Sequence, residues 1–231
     1  MKCVNKKLAA GMIFLGQTLT GAAFAASVTL SGTTVDFSFD DTLLGLFGAP
    51  TVAGDILSFT PTNFFAESFD GDGIDRTHAT LNVKITAHDN WDFSRVDLTE
   101  YGDYEMVGNG AKVAVKGQIR VFDTMNPLVK RSASIRPSTP FMPTDDIETV
   151  DWEANASIKL GGMATASMIN VTLQNILQAR SPRNTDTLAF IEKKYAGLSV
   201  ITTPVPEPET YAMLLAGLGL VGFAARRRAA V

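Results

Sequence analysis

The sequence predicts an all-β fold, a single antiparallel β-sandwich of about eight to ten strands. Apolar and polar side chains alternate with a period of two in several stretches of the chain. Clusters of Gly, Pro, Asp and Asn separate these stretches, and such clusters are typical of turns. No stretch between the two ends shows a long 3.6-residue period. Jelly-roll and immunoglobulin-like sandwiches both fit this pattern, and a closed barrel is the alternative.

Four stretches carry the strongest alternation. In the first, Leu81, Val83 and Ile85 share one face while Asn82 and Lys84 share the other, which is typical of a half-buried strand. The four are HATLNVKITAH at 78–88, AKVAVKGQIRV at 111–121, VDWEANASIKL at 150–160 and SMINVTLQNIL at 167–177. Shorter stretches predict further strands at 28–30, 34–39, 56–60, 96–99, 187–193 and 198–202.

Two longer segments lack a strand period. LLGLFGAP at 43–50 is too apolar to lie free in water, so we expect it to cap an open end of the sandwich; an exposed docking patch is the alternative. The run at 125–146 contains Pro127, Pro137, Pro140 and Pro143 and predicts an ordered crossing loop.

The N-terminus has the features of a signal peptide. Lysines precede an apolar run at 8–24, and Ala23 and Ala25 supply the small residues that signal peptidase requires. Cleavage after Ala25 divides the chain into a leader at 1–25, a β domain at 26–203 and a tail at 204–231. The only cysteine, Cys3, lies in the leader, so a disulfide within the β domain is excluded.

The tail predicts a short transmembrane helix. Its apolar stretch at 211–225 would rise about 22 Å as a helix, against a hydrocarbon core of about 30 Å. Positive charge stays on the cytoplasmic side, so the arginine cluster would orient the helix and hold the β domain outside the inner membrane. Prolines before the helix favour an extended linker that a processing enzyme can reach. The charges are Arg226, Arg227 and Arg228, and the prolines are Pro204, Pro206 and Pro208.

These residues resemble the PEP-CTERM sorting signal of Gram-negative bacteria. Pro206-Glu207-Pro208, a short apolar helix and a closing arginine cluster occur in the order of that family. The resemblance implies recognition by an exosortase, a transient inner-membrane tether and a final place at the cell surface or in the extracellular matrix. Such a tail is also called an ice-binding protein C-terminal domain, but flat threonine repeats are absent. Residues 39–68 resemble the opening of PEP-CTERM proteins whose exported domain has no assigned function.

The charge balance argues against nucleic acid as a partner. Residues 26–203 hold 14 basic and 22 acidic side chains, a net charge of −8. Nucleic-acid binding depends on a basic footprint that releases counterions. The acidity suits an exported protein, or one that meets divalent cations.

No catalytic motif is recognisable. His78 and His88 lie about 33 Å apart if one straight strand joins them, so they cannot share a metal or a proton. Serine-hydrolase, zinc-protease and nucleotide-binding motifs are absent. The fold could bring Asp97 or Glu100 towards Glu148 or Glu153, as in glycosidases, which keeps a polysaccharide hydrolase as a third hypothesis. We expect no enzymatic activity.

The sequence holds one weak candidate for a calcium site. Asp70, Asp72 and Asp75 lie on a glycine-containing loop, and calcium prefers several oxygen ligands. The loop departs from the EF-hand order, and a tight hairpin turn explains the same residues. We therefore expect no cofactor, with calcium as the exception to test.

Two further features distinguish the hypothesis of a scaffold from that of a ligand-binding domain. Lys112, Lys116 and Arg120 form a basic row on one strand. If that strand lies beside the strand of Asp151 and Glu153, the opposite charges pair across the sheet. If the two strands are apart, the basic row is free to bind an anionic polysaccharide. Exposed aromatics could stack on sugars, although tryptophans in such strands also fill cores. The candidates are Trp91, Tyr101 and Tyr104, with Trp91 and Trp152 as possible core residues. We predict a non-enzymatic exported envelope or matrix protein associated with exopolysaccharide; a carbohydrate-binding module for that polymer is the alternative.

Overall fold

The computed structural model describes residues 27–144, 148–161, 166–205 and 208–229. Two antiparallel sheets pack face to face over one apolar core, which confirms the predicted all-β sandwich. The strands in chain order are β1 (Ser27–Ser31), β2 (Val35–Asp40), β3 (Pro50–Ala53), β4 (Ile56–Phe59), β5 (Phe65–Phe69), β6 (Gly73–Ala87), β7 (Trp91–Val107), β8 (Lys112–Asp123), β9 (Lys130–Ser134), β10 (Arg136–Pro137), β11 (Val150–Lys159), β12 (Met168–Ser181) and β13 (Leu188–Pro204).

The first sheet has the order β1-β2-β6-β12-β8-β9. The second has the order β10-β11-β7-β13-β4-β3, and β5 pairs with β13 beside that path. At the centre of the first sheet Val171 lies opposite Val83 on one side and Val121 on the other. All three are buried. The apolar halves of the four strongest strands therefore form the core, as their alternation predicts.

Three predicted strands have different limits in the structure. The stretch 96–99 is part of the 17-residue strand β7. The stretches at 187–193 and 198–202 belong to a single strand, β13, which also has 17 residues. A register shift between Lys193 and Tyr195 interrupts its pairing with β7. This bulge resets the alternation in the sequence while the strand continues, because one residue is left unpaired.

The loop at Asp70–Gly73 is a turn, but it is not the predicted hairpin turn. The amide of Asp72 donates to the carbonyl of Phe69 at 3.0 Å, which closes the turn. Strand β5, before the turn, pairs with β13 in the second sheet, whereas β6, after it, pairs in the first. The turn therefore carries the chain from one sheet to the other.

The apolar segment at 43–50 caps the sandwich through one buried side chain. Two short 3-10 helices, Asp41–Leu43 and Gly45–Phe47, precede β3. The Phe47 ring is fully buried and meets the rings of Phe59 and Phe64 edge to face, at 5.6 and 5.8 Å between centroids. Leu43 remains 64% exposed, so the expectation of burial is wrong for that residue.

The proline-containing run at 125–146 crosses between the sheets. It holds β9, at the edge of the first sheet, and β10, at the edge of the second. These two short strands were not predicted, because their residues show no clear alternation. The predicted crossing loop is present over the described part of the run, to residue 144.

The tail contains one helix, α1 (Pro208–Ala229), whose apolar side chains are exposed over 211–223. Among the described residues, no helix is both long and apolar enough to cross a membrane. The prediction of a transmembrane helix is therefore not supported. The predicted cleavage residues Ala23 and Ala25, together with Pro206 and Glu207 of the sorting motif, lie outside the described residues.

Candidate polyanion-binding face

The predicted basic row lies on the outer face of the first sheet. Lys112, Lys116 and Arg120 are exposed on β8, between the buried residues that face the core. The acidic residues Asp151 and Glu153 lie on β11, which belongs to the second sheet. The two strands are not neighbours, so cross-strand pairing of these rows is wrong. Those carboxylates therefore do not neutralise the basic row.

Neighbouring strands extend the row into a basic face. The pairing register places Arg180 of β12 directly opposite Lys112, and Lys84 of β6 opposite Asn170 of β12. Like charges directly opposite each other destabilise a sheet, so this arrangement is not explained by stability. We use the name basic face for the exposed cations on this side of the sandwich, which are Arg76, Lys84, Lys112, Lys116, Arg120, Lys130 and Arg180.

A neutral amide orders the middle of the basic face. Oε1 of Gln178 accepts from Nε of Arg76 and from Nζ of Lys116, both at 3.1 Å. Arg76 and Lys116 lie on the two strands that flank β12, so their backbones are about 10 Å apart. An amide fixes the two side chains without neutralising them. Both charges therefore stay available to an anion.

The basic face continues into a groove at its β8–β9 edge. Arg120 lies opposite Thr172 on one side and Ser132 on the other, and Lys130 lies opposite Phe122. The groove is lined by Gln118, Arg120, Phe122, Lys130, Arg131 and Ser132. Cations, one hydroxyl, one amide and one aromatic ring meet there, and such groups bind acidic sugars through charge, hydrogen bonds and stacking.

The carboxylates on the same side of the first sheet as the basic face lie on β2. His88 Nε2 is 3.1 Å from Asp36 Oδ1. That hydrogen bond lowers the pKa of Asp36 and raises the pKa of His88. Asp40 lies at the end of β2, where its side chain accepts from the amide of Thr42 at 2.9 Å. Neither carboxylate forms a salt bridge with a cation of the basic face among the described residues.

The outer face of the second sheet has the opposite charge. Its carboxylates are Glu67, Asp97, Asp103, Glu105, Asp151, Glu153 and Glu192, of which Asp103 and Glu105 are buried. Its cations are partly neutralised, since Arg95 Nε donates to Asp97 Oδ2 at 2.7 Å and Lys194 Nζ donates to Asp103 Oδ2. The second bond raises the pKa of Lys194. The net charge of −8 over residues 26–203 therefore conceals a sandwich with one basic and one acidic face.

The predicted aromatic platform is not assembled. Trp91 and Tyr101 lie ten residues apart on β7, about 33 Å along a straight strand. Tyr104 is 5% exposed and packs edge to face on Phe141. Tyr101 is 44% exposed and lies beside Tyr195 on the acidic face, with 5.4 Å between ring centroids.

Both tryptophans have a defined environment. Trp152 is buried, and its Nε1 donates to the carbonyls of Asp103 and Glu192 at 3.1 and 3.0 Å, which settles its role as a core residue. Trp91 is half-buried at the start of β7. Neither forms a stacking surface with Tyr101.

Two of the candidate glycosidase carboxylates, Asp97 and Glu153, are not paired. Asp97 lies opposite Ser157 and accepts from its hydroxyl at 2.6 Å. Glu153 lies four residues from Ser157 on β11, about 13 Å away. Glu100 points into the core and is fully buried, and Glu148 lines a groove beside Tyr104. The spacing of about 5–10 Å that glycosidases need is not formed by Asp97 and Glu153.

The calcium candidates do not converge. Asp75 Oδ2 accepts from the amide of Glu67 at 3.0 Å. The neighbouring carboxyl of Asp186 raises the pKa of Asp70, because the hydrogen bond between the two favours the protonated form of Asp70. Over the part of the chain that is described, no group of three His, Cys, Asp or Glu side chains is arranged to hold a metal ion. The calcium hypothesis gains no support from this geometry. His78 lies within β6 and His88 follows the last residue of that strand, so the prediction that they stand at opposite ends of one strand is wrong.

Sequence reasoning missed two features of the site. Arg76, Lys84 and Arg180 belong to the basic face only because β6, β12 and β8 are neighbours, and strand order cannot be read from one sequence. A fully buried cluster of Lys193, Glu100 and Asn175 was also missed. The signal for its lysine was present, because Lys193 occupies an inward position in the alternation of 189–193.

Comparison with known proteins identifies a motif in the tail. The PEP-CTERM protein-sorting motif matches residues 204–228. No curated protein matches the chain. Two solved structures are similar, each at 10% identity and a TM-score of 0.23. For the infectious bursal disease virus VP2 subviral particle, the similarity covers 72% of this chain and 48% of that chain. For the infectious bursal disease virus Gt strain, it covers 69% of this chain and 43% of that chain.

The chain thus spans less than half the length of the solved structures that it resembles. The sorting motif implies an exported protein whose precursor is anchored at the membrane and processed by an exosortase. The predicted orienting residues Arg226, Arg227 and Arg228 lie in the last turns of α1, within the matched residues. This chain carries a PEP-CTERM protein-sorting motif.

Proposed function

We propose that the exported β domain is a non-enzymatic protein that binds an anionic exopolysaccharide of the producing cell through the basic face. The observation that carries the proposal is the row of cations on β6, β12 and β8, which lacks salt bridges to carboxylates among the described residues. Export by the sorting motif delivers this face to the compartment where such a polymer is found. The final location is the cell surface or the extracellular matrix.

The charge distribution supports binding in one orientation. The domain as a whole is acidic, so a polyanion is repelled by the second sheet and attracted by the first. Retention should therefore depend on ionic strength, because the Debye length falls from about 10 Å at 0.1 M salt to about 3 Å at 1 M. A neutral polysaccharide lacks this attraction and should be retained weakly.

The test is a binding assay with the exported protein, purified from the producing cells, and that cell's own polysaccharide. We expect Lys116→Gln/Arg120→Gln to weaken binding about tenfold, the equivalent of losing one charge-assisted contact of about 1.4 kcal/mol. The matched control is Arg136→Gln/Lys159→Gln, which removes the same charge from the second sheet. Equal effects of the two variants, or retention unchanged by salt, would argue against the basic face.

Two arms of the same assay address the other hypotheses. Tyr101→Ala tests whether the exposed tyrosine on the acidic face contributes to retention; we expect no change. Addition of calcium tests the loop at Asp70–Gly73, again with no change expected. Release of reducing ends from the polymer would contradict the non-enzymatic assignment and favour a hydrolase.

A further inference from the structure

The core of the sandwich contains a polar triad that the proposed function does not use. Lys193 lies on β13 and Glu100 on β7, both in the second sheet, whereas Asn175 lies on β12 in the first. All three residues are fully buried. Lys193 Nζ is 2.6 Å from Glu100 Oε2 and donates to Asn175 Oδ1. One amine therefore touches a carboxylate of its own sheet and a carboxamide of the opposite sheet.

Burial of these groups is costly, which calls for a physical reason. An ion pair removed from water loses several kcal/mol of hydration per ion, and an apolar pair of similar size is often as stable. The triad is also incompletely satisfied, because Glu100 Oε1 and Asn175 Nδ2 have no hydrogen-bond partner among the described residues. A stabilising polar network normally pairs all of its members.

The surroundings favour an uncharged amine. The buried Phe64 ring, whose centroid lies 5.1 Å from Nζ of Lys193, attracts the ammonium form, but complete burial of the side chain acts against any charge there. Desolvation lowers the pKa of Lys193, while Glu100 acts in the opposite direction. A neutral amine is a nucleophile, and an apolar pocket without water protects an amide bond from hydrolysis.

The residues that lie opposite Asn175 in the first sheet are small. On the first sheet Asn175 lies opposite Ala79 on one side and Gly117 on the other. Gly117 has a positive φ of 147°, and a Cβ added there would lie 2.1 Å from the carbonyl oxygen of Gln174. Because Lys193 donates to Oδ1, its amine lies beside the carbon to which Oδ1 is bonded.

We propose that Lys193 and Asn175 form an intramolecular isopeptide bond, with Glu100 as the proton acceptor and donor. The ammonium of Lys193 first passes one proton to Glu100, and the free amine then attacks Cγ of Asn175. The bond between Cγ and Nδ2 breaks as a second lysine proton reaches the departing nitrogen through Glu100. The third proton stays on the new amide, one molecule of ammonia leaves, and Glu100 ends protonated. No oxidant, reductant or cofactor is required.

The bond would join the two sheets covalently. It links β12 to β13, and the residues that it connects are 18 positions apart. It also replaces a buried ammonium with a neutral amide, which removes the cost of the ion pair. A cross-link of this kind suits an exported domain that contains no cysteine and therefore cannot use disulfides. This inference does not depend on what the basic face binds.

The test is mass spectrometry of the exported protein, purified from the producing cells. We expect an intact mass below that of the mature sequence by one ammonia. After trypsin, peptide 160–180 should be joined to peptide 184–194, because acylated Lys193 is not a cleavage site. The linked peptides distinguish the isopeptide bond from a cyclised asparagine, which also loses ammonia but joins no peptides. Separate peptides with an intact Asn175 amide would overturn the proposal and leave a buried ion pair.

Variants assign the roles of the three residues. Lys193→Met and Glu100→Gln should each yield unlinked peptides. The Glu100→Gln variant still contains both Lys193 and Asn175, so it tests the carboxylate alone. The matched control is Lys194→Met, which changes the adjacent exposed lysine and should retain the link in full. Persistence of the link in Glu100→Gln would overturn the role of the carboxylate. Circular dichroism of each variant establishes that the sandwich has folded, and the wild-type peptides test the bond independently of any variant.

Discussion

The contact between Gly102 and Trp152 offers a strong test of the core. Gly102 on β7 lies opposite Trp152 on β11, and the indole covers the space where a side chain at Gly102 would stand. A Cβ added at Gly102 would lie 1.9 Å from the carbonyl oxygen of Glu192 and 2.8 Å from Cζ2 and Nε1 of Trp152. Both distances are too short for a methyl group, so Gly102→Ala must displace the indole or the backbone.

The cost of Gly102→Ala can be estimated from its two consequences. Overpacking of a dense core costs about 1–3 kcal/mol. Displacement of the indole also weakens its hydrogen bonds to Asp103 and Glu192, each worth about 1 kcal/mol. We expect a loss of about 3 kcal/mol, which for a domain of this size lowers Tm by about 6–12 °C.

Thermal unfolding followed by near-ultraviolet circular dichroism measures this shift and reports the packing of the indole. The control is Gly161→Ala, where an added methyl group meets no described atom within 4 Å and Tm should stay close to the wild-type value. An unchanged Tm and aromatic spectrum in Gly102→Ala would refute the buried position of Trp152. It would also reopen a surface role for that tryptophan.

Two further predictions concern the cap and a surface ion pair. Phe47→Ala should cost about 3–5 kcal/mol in chemical unfolding, because it empties a site between Phe59 and Phe64; a loss below 1 kcal/mol would contradict the cap. The pKa of His88 is raised and the pKa of Asp36 is lowered, so His88→Gln should be most destabilising between pH 3.8 and pH 6.5, the ordinary pKa values of the two groups. The stabilisation is lost as pH rises through the pKa of His88 or falls through that of Asp36, and equal Tm differences at about pH 5 and about pH 9 would contradict it.

The alternation of side chains was sufficient to predict the sandwich. In β12, the residues Ile169, Val171 and Leu173 are buried and Asn170 and Thr172 are not, as the period of two requires. The prediction failed where the backbone departs from that period. At the bulge between Lys193 and Tyr195, one strand looked like two, because an unpaired residue shifts the phase of every residue that follows.

The candidate site was predicted only in part. Lys112, Lys116 and Arg120 stood out in the sequence because they share one strand. Arg76 and Arg180 did not, since their place beside that row depends on the order of β6, β12 and β8. The aromatic platform failed for the same reason, because Trp91, Tyr101 and Tyr104 are near in sequence but lie at different depths and positions along β7.

The sequence by itself determined the properties that depend on short-range order: strands from a two-residue period, turns from glycine and aspartate, and a sorting motif from its proline, apolar and arginine segments. The tertiary structure alone decided which strands are neighbours and which sheet each one joins. That choice separates the basic from the acidic face and brings Lys193, Glu100 and Asn175 into contact across the core. The physical reason is that charge and reactivity act over a few ångströms in space, whereas residues that act together can be distant in the chain, as Glu100 and Lys193 are at 93 positions apart.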